Sequence, residues 1–124
     1  MKYLIAMFGD QATMVETKKT TEWIKDMIRF MEELDGELAE SGEKVDSVGL
    51  VDPTMAKTVR FEHGAPVPTD GPFAEAKESL AGYYLVDVED EARALEIASK
   101  IVGHIHEPIE VRRLADGPPE EYTS

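Results

Sequence analysis

Asp70, Glu75, Lys77 and Glu78 crowd into the nine residues Asp70-Gly71-Pro72-Phe73-Ala74-Glu75-Ala76-Lys77-Glu78, directly ahead of an apolar stretch. Carboxylates beside an ammonium are the ingredients of acid–base chemistry, or of a polar rim that orients a ligand. His63 stands seven residues before Asp70 across an expected hairpin, so His63, Asp70 and Glu75 are the candidate catalytic groups. The candidate ligand-binding set is Arg60, Asp70, Phe73, Glu75, Lys77 and Tyr84. Turn chemistry offers a competing account of the same segment. Asp70 suits an Asx-type turn, Gly71 gives freedom before a proline, and Pro72 fixes φ. Phe73 would then be a buried plug. The sequence leaves both readings open.

The remaining reactive side chains are weaker candidates. His104 and His106 are two apart and would share a face on an extended segment, with Glu107 or Glu110 as a third metal ligand. A polar loop between a helix and the last strand explains the pair more simply, so no metal is expected. Ser41, Ser47, Ser79 and Ser99 have no nucleophile-elbow context. No phosphate loop or dinucleotide fingerprint occurs, so no cofactor is implied. Arg60, Arg112 and Arg113 are the basic residues expected to converge on neighbouring strands, where they would fix a small anion or pair with glutamates.

The 124 residues hold 13 basic and 26 acidic side chains, a net charge of −13, and no cysteine. That field repels phosphate backbones and anionic lipid, so neither nucleic acid nor membrane is an expected partner. Without thiols, disulfides and cysteine nucleophiles are excluded. The apolar run Tyr3–Phe8 is too short for a secretory segment or a membrane span, and the expected location is cytoplasmic.

Elements must position these groups. Tyr3–Phe8 reads as a strand, apolar on both alternating faces. Thr20 or Thr21 caps a long helix whose stripe runs Trp23, Ile24, Met27, Ile28, Met31, Leu34 and Leu38, closed by Gly42. Gly9–Lys19 is a polar connector with room for a helical turn. Val45–Val51, Thr58–Glu62 and the return Pro66–Thr69 are expected strands, with a break at Asp52-Pro53. Leu80–Val88 is again apolar on both faces. Asp90 caps a second helix with Ala94, Leu95, Ala98, Ile101 and Val102 inward, ended by Gly103. Ile109–Leu114 alternates as a strand with one wet face, Ile109 and Val111 inward. The order is ferredoxin-like, βαββ(β)αβ, an α+β domain over residues 1–114 with a polar tail over 115–124. Two helices cover one face of a sheet. A second copy of the chain is the expected cover for the other, giving a homodimer, with the hairpin or the tail folded over that face as the alternative.

The DGPFAEAKE segment before Leu80-Ala81-Gly82-Tyr83-Tyr84 resembles the signature of the YCII-related (DGPF-domain) family. Lys2–Asp10, Lys57–Arg60 and Ile109–Arg112 are similar to its opening, pre-signature and closing strands. The resemblance implies a dimeric α+β barrel on a ferredoxin-like fold. It implies no settled activity, and it raises association with an extracytoplasmic-function sigma factor, because the family's genes often neighbour such factors. A histidine–aspartate pair proposed as catalytic in the wider superfamily does not carry over, since no histidine precedes His63. The resulting expectation is a small-molecule-binding or regulatory homodimer. The alternatives are an enzyme using carboxylates in the dimer cleft and a sigma-factor accessory.

Overall fold

The computed structural model describes residues 1–9, 20–73 and 79–123. Strand β1 (Lys2–Phe8) leads to helix α1 (Thr21–Ser41) and strand β2 (Lys44–Gly49). A two-stranded arm, β3 (Lys57–Glu62) and β4 (Ala65–Asp70), precedes β5 (Leu80–Asp87), α2 (Glu91–Ile105) and β6 (Ile109–Arg113). The main sheet has the order β2-β5-β1-β6, all antiparallel, which is the ferredoxin-like arrangement. The arm is a separate sheet. The connector expected over Gly9–Lys19 lies, but for its first residue, outside the described residues.

Both helices are capped by their own sequence. Thr20 accepts from the Trp23 amide at 3.0 Å and Asp90 from the Arg93 amide at 2.9 Å. Gly42 sits at φ 80, which a side chain would strain, and lets Glu43 N–H reach the Leu38 carbonyl at 3.0 Å. α2 does not stop at Gly103 as expected. It runs on to Ile105 and ends where His106 turns left-handed at φ 59.

One face of the sheet holds the core. Tyr3 and Ile5 of β1 pair with Val86 and Tyr84 of β5 and meet Leu34, Leu38, Ala94, Ile97 and Ile101 from the helices. Ile109 and Val111 of β6 pack against the same cluster. Two stripe assignments change. Ile24 and Ile28 are exposed, and Phe30 packs inward beside the expected Met31. On α2, Leu95 is exposed and Ile97 takes its place. In both helices the inward residues keep three- and four-residue spacing, Phe30, Leu34 and Leu38 on the first and Ala94, Ile97 and Ile101 on the second, so Ile24, Ile28 and Leu95 fall outside the stripe.

The opposite sheet face has no helix over it among the described residues. The register places Leu4 opposite Leu85, Ala6 opposite Tyr83, and Val48 opposite Tyr83 from the other side. Glu110 and Arg112 of β6 share this face and pair with each other.

Two features predict measurable effects. A Cβ on Gly82 would lie 2.6 Å from the Val48 carbonyl oxygen, inside a strand pair that backbone hydrogen bonds hold close. Gly82→Ala should therefore lower stability by about 1–3 kcal/mol in urea unfolding. Arg93 clamps Glu43 through two bonds of 2.9 Å each. The side-chain bonds from Arg93 hold the Glu43 carboxyl below its ordinary value of 4.5 and raise the guanidinium in turn. A depressed carboxyl contributes stability above 4.5 that is lost as pH falls through the folded value. Glu43→Gln should cost about 1–2 kcal/mol at neutral pH, and the gap from the unaltered protein should narrow as the pH falls below 4.5.

Candidate functional site

The sequence between β2 and β3 folds into a short 3₁₀ turn over Pro53–Met55, started by Asp52. The Asp52 carboxylate accepts from the Thr54 amide at 2.9 Å and from its hydroxyl at 2.8 Å, while Pro53 is buried. After β4 the chain comes back to this turn. Gly71, at φ 100, donates its amide to the Ala56 carbonyl at 2.9 Å, and its carbonyl accepts from the Thr58 hydroxyl at 2.7 Å. A positive φ directly before Pro72 is what only glycine supplies at little strain. Leu50 N–H bonds the Ala81 carbonyl at 2.9 Å, which ties the same region to the start of β5.

These ties leave a cleft of about 540 Å³. Its walls are Leu50, Val51, Asp52 and Pro53, then Ala56 to Val59, then Pro72, Phe73, Ser79 and Leu80. The size is that of a small-molecule site, and the lining is mainly apolar with a few polar groups. Leu50, Val51, Val59, Phe73 and Leu80 are all exposed large apolar residues. Met55 and Phe61 extend that patch over the 3₁₀ turn and the arm. Such a concentration around a concavity marks a place of contact.

The signature segment contributes less acid–base chemistry than its composition suggests. Asp70 is exposed, and its carboxylate pairs with the Lys57 ammonium at the root of the arm. Among the described residues that partner replaces the expected Asx-type bond to backbone. Glu75 and Lys77 lie outside the described residues. His63 occupies the tip of the arm, where His63 at φ 51 and Gly64 at φ 80 form a two-residue turn. Asp70 is at the other end of β4, roughly 17 Å away at the rise of an extended strand, so the two do not form a pair.

Phe73 is not a plug within the chain, being 82% exposed. The Arg60 guanidinium lies over its ring, 5.7 Å from the centroid. Tyr84 is 2% exposed and belongs to the core beneath the helices rather than to a cleft. Burial raises its phenol above the ordinary value of 10, against a lowering bond to Ser47. Its neighbour Tyr83 takes the opposite face, where it is half-buried. The three arginines do not converge. Arg112 pairs with Glu110 and Arg113 with Asp116 on the sheet edge, while Arg60 is on the arm.

The histidines near the chain's end separate. His104 is within α2, stacked on Phe30 at 4.2 Å between centroids and 3.2 Å from an Asp26 carboxylate oxygen. His106 is the helix cap, so the two do not share an extended face. Among the described residues no three acidic or histidine side chains gather as a metal site, and no helix is long and apolar enough to cross a membrane.

Sequence reasoning missed Leu50, Val51 and Leu80 as cleft walls, and Lys57 as the partner of Asp70. A usable signal was present: Leu50-Val51 stands against the Asp52-Pro53 break, where a continuing strand would have buried it.

A family model and a relative match the chain. The model of the YCII-related domain matches residues 1–103. An uncharacterized protein of Rhizobium meliloti (strain 1021) is 31% identical over 102 residues, covering 79% of this chain and 77% of its own. With its ferredoxin-like strand order, its Asp70-Gly71-Pro72-Phe73 turn and a match over most of its length, the chain belongs to the YCII-related domain family.

Proposed function

We propose that the chain is a homodimeric module that binds a small, largely apolar molecule in the cleft between the 3₁₀ turn, the arm and the signature loop. The observation that carries this reading is the cleft's lining. Its apolar walls stand exposed, and its ionisable members are already engaged: Asp52 caps the 3₁₀ turn and Lys57 pairs with Asp70. Among the described residues no charged group is buried. An acid–base enzyme needs a carboxylate or histidine shielded from water and shifted in pKa. A binding site needs the walls this cleft has. Binding, with a regulatory consequence for the chain's partners, is thus favoured over catalysis.

The sheet's second face supports the homodimer. Leu4, Val48, Tyr83 and Leu85 form an apolar centre edged by Asp46, Glu110 and Arg112. An apolar centre within a charged margin suits a two-fold contact, in which the same patch serves both partners.

Two outcomes test the proposal. Light scattering coupled to gel filtration should give about twice the chain mass of 13.8 kDa, and Leu85→Glu should return the monomer mass with helix content unchanged. A monomeric unaltered protein contradicts the dimer. The neutral fluorophore N-phenyl-1-naphthylamine should bind with enhanced emission, and Val51→Glu should weaken it about tenfold by placing a charge in an apolar wall. Emission that does not respond to the substitution puts the site elsewhere.

A further inference from the structure

Arg60 differs from three of the other four arginines of the chain. Arg93, Arg112 and Arg113 each pair with carboxylates. In a chain of net charge −13, such pairing is the default. Among the described residues, no carboxylate pairs with Arg60. Its recorded contact is with the Phe73 ring, a wall of the cleft. Lys57, the other cation at this site, is neutralised by Asp70.

A guanidinium stacked on an aromatic ring uses its flat face and keeps its edge N–H donors free in the plane. Those donors match the two oxygens of a carboxylate, or two of a sulfonate or phosphate. The ring also limits the rotamers of the long arginine chain, so less entropy is lost when an oxyanion docks. Phe73, the ring beneath the guanidinium, belongs to the cleft wall together with the exposed apolar residues Val59, Leu80 and Leu50. A ligand that satisfies both parts has an apolar body and one oxyanion.

We propose that the cleft selects small amphiphilic anions, apolar molecules carrying a single carboxylate or similar oxyanion, and that Arg60, braced by Phe73, is the residue that reads the charge. This rests on the cleft being the binding site, as argued above, and adds the chemical class of its ligand. The overall negative field works against any anion approaching the chain. A preference for the anionic member of a matched pair therefore identifies a local cation, since general hydrophobic binding would favour the neutral member.

The matched pair is N-phenyl-1-naphthylamine and 8-anilinonaphthalene-1-sulfonate, which differ by the sulfonate alone. Fluorescence titration of the full chain should show the sulfonate bound about tenfold more tightly, the factor expected of a charge-assisted hydrogen bond. Arg60→Met should abolish that preference while leaving the neutral probe within about twofold, since no wall of the cleft is removed. Arg60→Lys should retain part of it, because a point charge remains but the fork is lost. Displacement of the sulfonate probe by 1-naphthoate, and not by 1-naphthamide, extends the result to carboxylates. An unchanged preference in Arg60→Met, or tighter binding of the neutral probe by the unaltered protein, overturns the role of Arg60 and leaves the cleft standing. Failure of both probes to bind overturns the cleft and this inference together. A melting curve for Arg60→Met matching the unaltered protein establishes that lost preference is not lost folding.

Discussion

The central strands β1 and β5 carry apolar side chains on both faces, while the two described helices lie over one. On the covered face Tyr3, Ile5, Tyr84 and Val86 interlock with Leu34, Leu38, Ile97 and Ile101. Two-sided strands lack the alternation that normally penalises a one-residue slip, since slipping exchanges one apolar set for another. Register therefore has to come from elsewhere. β6 supplies part of it, with Ile109 and Val111 inward and Glu110 and Arg112 outward. Gly82 supplies more, because β2 approaches β5 so closely there that no other residue fits opposite Gly49. The same two-sidedness leaves Leu4, Val48, Tyr83 and Leu85 on a face that we take to be completed by a second copy.

The arm follows from a different constraint. β3 and β4 pair with each other and leave the main sheet, so the chain must return from Asp70 to β5 across the end of the sheet. Gly71 makes the return possible by adopting a positive φ, and its two bonds to Ala56 and Thr58 fasten the signature loop to the arm's root. The cleft lies beside these ties, and its ionisable lining groups Asp52 and Lys57 are already engaged, by Thr54 and by Asp70. Phe73 is exposed and carries the Arg60 guanidinium over its ring.

Much of the architecture was legible in residue pattern. Helix starts at Thr20 and Asp90, the αL residue Gly42 and the alternation of β6 are local signals, and each is where the sequence puts it. Gly103 misled because glycine tolerates a helix interior when tertiary packing on both sides continues the element, as Ile101 and Ile105 do here. The site was less legible. A run such as DGPF announces a turn, but which face of the arm it returns to depends on contacts between residues far apart in sequence. Hence Asp70 pairs with Lys57 rather than with its own loop, and His63 ends up at the far end of β4. Tyr83 and Tyr84 could be told apart only by register, since adjacent strand residues with the same side chain carry no signal of which face is covered.

The sheet face turned away from the two described helices is the point at which the account is most exposed. An isotope-filtered NMR experiment on a mixture of labelled and unlabelled chains examines it directly, through the methyl groups of Leu4, Val48 and Leu85. The account predicts cross-peaks between protomers among these methyls, and protection of all three from a paramagnetic co-solvent. Absence of any cross-peak, with the methyls broadened by the co-solvent, would show that face open to water and contradict the two-fold assembly.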